Sequence, residues 1–558
     1  MRPHLLEICT LVVVGLLTYL CATQAGFLAI DDVGMVHNVT SNSYTLGGLF
    51  FSGASDYYRP LAVISYFANA SFTGIDPFYF HLVNVVIHIA NALLVYWFAL
   101  VLFARRDDVN HVALLASLFF LVSPLNSEAA SWVSARPDLL CTFFFLLAMV
   151  LLVKAREKVT VSSLVLLGVA YLASLCAKEA SIAMAAIAPL YLVLQSRRER
   201  MKDALLLAAP VLATTGFYLF LRFGRTLSVD KGVKSVVTGA VANGSATTPP
   251  LLDGVGAFGF YLQKLVFPFP LNFTILRYDR PVAYIALVAG CLAAWYLLRR
   301  NSRDTLLPLL IVFIGIVPAV LAYLGRIPWT PFGERYLYLP MIGYSLLVAL
   351  ALSRLKPLPR IVPVALIMLL AVPTMARVAL WCDPDAFWKD ALKKGPGLAK
   401  SHSALGVYAY EQQRYDDAER YMKKSLSLSE EPLVLQNLAR VYLAKKDMKR
   451  YEEAMLRAAS LSPRPTGIYQ DLILALMSNP GADGVGGAYR KAVRYHLLAF
   501  SKDPGYVDAY YYAGKLCLAN KEPATARTYF GIYLEKAPKG YYRPFAQKMF
   551  DRLSAGAT

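Results

Sequence analysis

The sequence predicts an all-α protein in two parts, a polytopic helical membrane domain over residues 1–380 and a helical solenoid over residues 381–558. Three observations predict it. Of 558 residues, 57% are hydrophobic and only 17% charged, with a mean hydropathy of +0.47, a balance that places much of the chain in lipid. About eleven apolar stretches follow one another over the first two thirds, where a bilayer core about 30 Å thick takes about 20 apolar residues per helix. The last third is polar and self-similar at a period of about 33 residues, the mark of stacked helix pairs.

The stretches run over residues 5–25, 78–103, 111–122, 138–153, 161–176, 180–194, 204–221, 282–298, 305–324, 336–352 and 361–380. A leader peptide ending near Ala25 is the alternative for the first. Lys and Arg collect on alternate loops: Arg105 and Arg106; Lys154, Arg156 and Lys158; Arg197, Arg198, Arg200 and Lys202; Arg299, Arg300 and Arg303; Arg354, Lys356 and Arg360. Short cationic loops stay in the cytoplasm, so the amino terminus is expected inside and everything after Trp381 outside. That means an inner membrane with the solenoid in the periplasm for a bacterial protein, or an endoplasmic reticulum membrane for a eukaryotic one.

The formal charge of +19 exceeds what the cytoplasmic loops need, because outer segments carry cations too. Such a surplus suits membrane lipids and lipid phosphates as partners and gives nucleic acid no role. The seven cysteines are scattered without a CxxC pair, which argues against a metal knuckle or a disulfide framework.

In the last third, Leu405, Gly406 and Ala418 are matched by Leu438, Ala439, Tyr442, Ala458 and Pro463, and again by Ala513, Gly514, Ala526, Phe530 and Pro538. Ala492, Ala499 and Pro504 keep the second half of another unit, whose turn is lengthened by "NPGADGVGG". Small residues let paired helices cross, and proline ends the second helix. The pattern resembles the tetratricopeptide repeat (TPR) in three to four copies, a module that binds rather than catalyses. Tyr510, Tyr511 and Tyr512 either fill contacts between its helices or line a groove.

Three longer stretches are expected on the outer face, over residues 31–77, 222–281 and 325–335. The first opens with Asp31 and Asp32, adjacent acids at the mouth of a membrane helix. Group transfer outside the cytoplasm draws on lipid-phosphate donors, which need a carboxylate to take the acceptor's proton and cations to hold the leaving phosphate. Asp31 and Asp32 are the candidate base, with a helix cap as the structural alternative. Arg59, Arg136, Lys178 and Arg335 are the candidate phosphate ligands. Glu128, Asp138, Glu179 and Glu334 lie near them at span ends, where charge is costly unless paired or functional. His81, Asn84 and His88 share one helix face. With no further ligands near these histidines in sequence, no metal is expected.

The blocks "DYYRPLAVISYFANASFTGIDPFYFHLVNVVIHIANALLVY", "SPLNSEAASWVSARPDLLCTFFFLLAMVLL", "LCAKEASIAM" and "ERYLYLPMIGYSLL", followed by the repeats, resemble the transmembrane and TPR protein O-mannosyltransferases, of the GT-C class, and their bacterial relatives. The resemblance implies inverting transfer of a sugar from a polyprenyl- or dolichyl-phosphate donor to a protein Ser or Thr, without a cofactor. It implies the acidic base on the first outer loop, at Asp31 or Asp32, with Asp31 preferred, and acceptor proteins bound by the TPR domain. Ser123 before Pro124, where relatives commonly carry His, leaves the sugar open. A membrane-anchored TPR scaffold without catalysis is the alternative, though one span would serve to anchor it. A transporter would place its ionisable residues at mid-span.

Overall fold

The computed structural model describes residues 4–28, 31–41, 49–50, 58–196, 198–223, 250–325, 330–354, 361–480 and 484–555. The cations Arg197, Lys356 and Arg360 and parts of all three outer loops lie outside the described residues, as do three residues of the lengthened repeat turn.

The described chain is all-α, with a single isolated antiparallel bridge between Ile275 and Phe332. It forms two compact units, Met1–Pro396 and Gly397–Thr558. Local chemistry sets where several helices begin. Asp76 accepts from Phe78 N ahead of Pro77–Leu102, and Asp279 accepts from Val282 N ahead of Arg280–Leu324. Both are N-caps with proline in the first turn, Pro77 at the first helical position and Pro281 at the second, where its missing N–H costs little. Thr160 and Ser163 cap Val161–Ala177 reciprocally.

Six helices of the first unit are long and apolar enough to cross a membrane: Leu5–Gln24, Pro77–Leu102, Val133–Ala155, Met201–Phe223, Arg280–Leu324 and Val364–Trp381. A seventh results if Val109–Leu121 and Pro124–Ser131, bent by 50°, count as one. Length and composition thus fall short of the eleven expected, because Val161–Ala177, Glu179–Gln195 and Pro340–Arg354 are shorter than the about 20 residues a crossing takes. In addition, two expected stretches are merged in Arg280–Leu324. That helix breaks at Asn301, whose φ of −159° and ψ of 72° are not helical. Asn301 Oδ1 there accepts from Asp304 N and starts a second limb.

The first unit also extends past the expected boundary near residue 380. Pro384–Lys394 packs into it, with Phe387 and Trp388 buried against Phe273. Thr274 Oγ1 donates to Ala391 O at 2.9 Å and Lys394 Nζ to Leu271 O at 2.7 Å. Gly395 closes the contact, since a Cβ there would sit 2.6 Å from Thr274 O.

The second unit stacks four antiparallel pairs: Ala399–Glu411 with Tyr415–Leu428, Pro432–Ala444 with Met448–Leu461, Thr466–Ser478 with Gly484–Lys502, and Asp508–Ala519 with Pro523–Lys536. Arg543–Ala555 packs on the last. The small residues fall at the crossings, where a Cβ on Gly406 would meet Met422 at 2.7 Å and one on Gly514 would meet Phe530 at 2.8 Å. The hairpin turns repeat as well. Gln413, Lys446 and Lys521 all have φ near +60°, and the following residue's N–H reaches back five positions to Ala409, Tyr442 and Cys517, closing each helix as a left-handed C-terminal cap. The tyrosine triplet fills contacts between helices: Tyr511 is stacked on Tyr542 at 4.4 Å, Tyr512 bonds the Tyr542 hydroxyl, and Tyr510 meets Phe500 and Tyr529.

Candidate functional site

The candidate residues meet around one short segment, Trp132 to Asp138, "WVSARPD". It enters the helix Arg136–Ala155 through a single 3-10 turn, Val133–Ala135, so its side chains fan out in different directions. Ser134 holds the acidic turn, Arg136 braces neighbouring helices, Asp138 pairs with Lys178, and the Trp132 ring lies under Arg335.

Asp32 is fully buried at the start of Asp32–Ser41. One carboxylate oxygen accepts from Leu28 N at 3.0 Å; the other accepts from Ser134 N at 2.9 Å and from the Ser134 hydroxyl. Burial pushes its carboxyl up to about 6, against the pull of these hydrogen bonds, with the neighbouring Asp31 adding a little. The side chain ties the acidic turn to the hub segment, and both its oxygens are committed. Asp31 is half-buried beside it, and its carbonyl accepts from Met35 N.

Arg136 is completely buried, and among the described residues no carboxylate pairs with it. Its guanidinium donates to Asn84 Oδ1 at 2.8 Å, Asn69 Oδ1 at 2.9 Å, Phe80 O at 2.9 Å and Ser65 O at 3.3 Å, and it lies 4.6 Å from the Tyr66 ring centroid. This geometry makes it a brace between helices.

The other three candidate cations each face a carboxylate. Arg59 forms a two-point pair with Glu179 at 2.6 and 3.0 Å, Lys178 meets both oxygens of Asp138 at 2.6 and 2.7 Å, and Arg335 binds Glu128 at 2.5 Å. The pairs are near neighbours: Asp138, Arg59, Arg335 and Glu179 all act electrostatically on Lys178, whose ammonium burial holds below its ordinary range. Burial works against the Arg335 charge, yet Tyr336 and Glu128 keep it above its ordinary value. Tyr66 lies within the fields of Arg136, Asp32, Arg59 and Asp138 and so joins the acidic turn to the cluster. Arg59 and Glu179 are the most open pair, at 21% and 33% side-chain exposure, whereas Arg335 and Glu128 stand at 9% and 2%.

Glu334 accepts from Lys264 Nζ at 3.0 Å and Asn272 N at 2.9 Å, and burial raises its carboxyl against the pull of Lys264. His88 is part of a closed network. Leu121 O, 3.1 Å from Nε2, can only accept, so Nδ1 accepts from the Tyr338 hydroxyl at 2.7 Å. His81 Nε2 lies 3.4 Å from Gly26 O. Among the described residues no group of three or more His, Cys, Asp or Glu is placed to hold a metal.

Sequence reasoning missed Ser134, Asn69, Lys264 and the aromatic wall of Trp132, Tyr336 and Trp381. Lys264 carried a signal, a lone cation in the apolar helix Pro250–Val266. Ser134 and Asn69 carried none, because their role is set by partners 102 and 67 positions away. The indole N–H groups of Trp132 and Trp381 are buried and make no hydrogen bond among the described residues.

No family model matches the chain. Curated relatives do. Protein O-mannosyl-transferase TMTC1 of Homo sapiens is 24% identical over 449 residues, 70% of this chain and 50% of the relative. Protein O-mannosyl-transferase F38B6.6 of Caenorhabditis elegans is 24% identical over 75% of this chain and 62% of its own, and TMTC3 of Mus musculus 22% identical over 84% and 56%. The chain therefore spans about half the length of the curated relatives it matches. Among solved structures, that of YrrB, a TPR protein with an unusual peptide-binding site, aligns at 19% identity over 34% of this chain and 91% of its own, with a TM-score of 0.22.

Proposed function

We propose, on the premise that this chain is a homologue of protein O-mannosyl-transferases over most of its length, that it is an inverting glycosyltransferase. It moves a sugar from a polyprenyl-phosphate donor, or a dolichyl-phosphate donor in a eukaryotic membrane, to a Ser or Thr hydroxyl of an exported protein. In this reading each of the eleven expected stretches crosses the membrane, with the two limbs of Arg280–Leu324 as separate crossings and the helices shorter than a full span included. The amino terminus is cytoplasmic, and the cluster and the TPR unit, which engages the acceptor protein, face the opposite compartment.

The observation that carries the proposal is the gathering of three cations and three carboxylates, from stretches up to 207 positions apart, about a segment that also holds the acidic turn. Charged side chains at a span end are costly unless paired or functional, and here three such pairs are drawn to one place. The acceptor oxygen attacks the anomeric carbon from the side opposite the phosphate, the bond from that carbon to the phosphate oxygen breaks, and the hydroxyl proton passes to Asp31. Asp32, engaged by Leu28 and Ser134, holds the turn in place. Arg59, in the most open pair, turns to the leaving phosphate, while Lys178 and Arg335 stabilise its charge from fixed positions. Arg136 braces the site without touching the donor.

Purified protein in lipid, given labelled polyprenyl-phosphate mannose and Ser/Thr peptides, is expected to transfer label to the peptide. Arg59→Gln is expected to raise the donor KM about tenfold or more. Absence of transfer from polyprenyl-phosphate mannose, glucose or galactose by a folded parent protein would overturn the reading.

A further inference from the structure

We propose that Cys21 and Cys382 form a disulfide that staples the first membrane helix to the last. Cys21 lies in the turn Leu20–Gln24 that prolongs the first helix, and Cys382 directly follows Ile361–Trp381. They are 361 positions apart in sequence, yet their sulfurs are 3.5 Å apart, and the Cys382 thiol lies 3.1 Å from Cys21 O. Among the described residues no other pair of cysteine sulfurs comes into contact; Cys141, for example, meets Ser174 and the Lys178 carbonyl. The absence of CxxC spacing in the sequence has no bearing on a pair this far apart.

The approach is imposed by the fold. Tyr19, two residues before Cys21, donates to Leu121 O at 3.1 Å, and Thr374 on the last helix donates to Val122 O at 2.7 Å. Both helices are thus hooked to adjacent carbonyls. Ala22 and Trp381, beside the two cysteines, are buried at 0% and 2% exposure. A disulfide needs its sulfurs about 2.05 Å apart, so from 3.5 Å the closure is about 1.5 Å.

The inference rests on the outer-face reading given above, because disulfides persist in oxidising compartments and not in the cytosol. Cys21, the exposed partner, attacks as thiolate the disulfide of a thiol–disulfide donor protein of that compartment. The mixed disulfide is then attacked by the Cys382 thiolate, and the donor's second sulfur leaves. The two thiol protons, carried by solvent, and the electron pair both end in the donor's dithiol. The staple would fix Trp381 against Trp132, and so the wall on which Arg335 rests.

The test uses the full chain, isolated in membranes with free thiols blocked by N-ethylmaleimide and digested without reductant. Mass spectrometry is expected to find a peptide linking Cys21 to Cys382 as the main form of both residues, lost on reduction and absent from Cys21→Ser and Cys382→Ser. A carboxy-terminal reporter active only outside the cytosol is read alongside. An outer carboxy terminus with both cysteines fully alkylated overturns the disulfide alone. A cytosolic carboxy terminus overturns both the disulfide and the orientation on which it rests.

Discussion

Exchanging each acid of the turn for its amide separates a positioning carboxylate from a reacting one. In Asp32→Asn the side chain keeps its shape but has one acceptor oxygen where the carboxylate had two. The Ser134 N–H at 2.9 Å and the Leu28 N–H at 3.0 Å sit on opposite oxygens, so one of them must face an NH2 group. A hydrogen bond to a charged group contributes about 1.5–3 kcal/mol, and a buried orphan N–H costs about 1–3 kcal/mol. These overlap, and a loss of about 3 kcal/mol is expected, read as a fall of several degrees in Tm in detergent. Asp31 is half-buried, and Asp31→Asn is expected to change stability by less than about 1 kcal/mol while lowering transfer from polyprenyl-phosphate mannose about 100-fold or more. The reasoning fails if Asp31→Asn transfers at the parental rate, or if Asp32→Asn melts like the parent and is inactive, since Asp32 would then be the base.

Four further outcomes can be measured. The Asp32 carboxyl, pushed up to about 6 by burial, binds its proton more tightly folded than unfolded, so its stabilising contribution is full below about pH 4 and lost as pH rises through 6. The stability of the parent relative to Asp32→Asn should therefore grow by about 1 kcal/mol between pH 7 and pH 5; a flat difference counts against the burial argument. Lys178→Met or Asp138→Asn alone leaves a buried charge without its partner and should cost about 3–5 kcal/mol, whereas the double change Lys178→Met with Asp138→Leu should recover most of it, in chemical denaturation, and remain inactive. Replacing Lys446, held at φ +62°, by glycine should stabilise the TPR unit by about 1 kcal/mol; no gain would mean the left-handed turn is not strained. Arg136→Lys offers one compact ammonium to acceptors spread over two helices and should sharply reduce the yield of folded protein. A well-folded Arg136→Lys that has lost donor binding would instead put Arg136 on the phosphate.

Much of this was legible in the sequence because it is local. The repeat unit is the clearest case: Gly406 and Gly514 were recognisable by spacing and do fall where a Cβ would strike the facing helix. The hub segment was legible only in part. Glu128, Arg136 and Asp138 stood out as charges at a span end, but nothing in "SARPD" says that Arg136 turns to Asn69 and Asn84 while Asp138, two residues on, turns to Lys178. Residues two apart at the start of a helix point about 200° apart, and which side meets which neighbour depends on packing. The boundary between the parts was hidden for a related reason. Pro384–Lys394 has the polar composition of the repeats, yet its two buried aromatic residues, Phe387 and Trp388, and two bonds to backbone carbonyls tie it to the first unit.

The sequence by itself determined that the chain is helical, that its first two thirds suit lipid, and that its last third is a repeat, because apolar length, capping residues and periodicity act over one helix at a time. Only the tertiary structure decided which carboxylate answers which cation, at separations of 40, 120 and 207 positions, and that two cysteines from opposite ends of the membrane unit meet. Such choices depend on how helices pack against one another, and the energy of a buried charge pair exists only once that packing has removed the water.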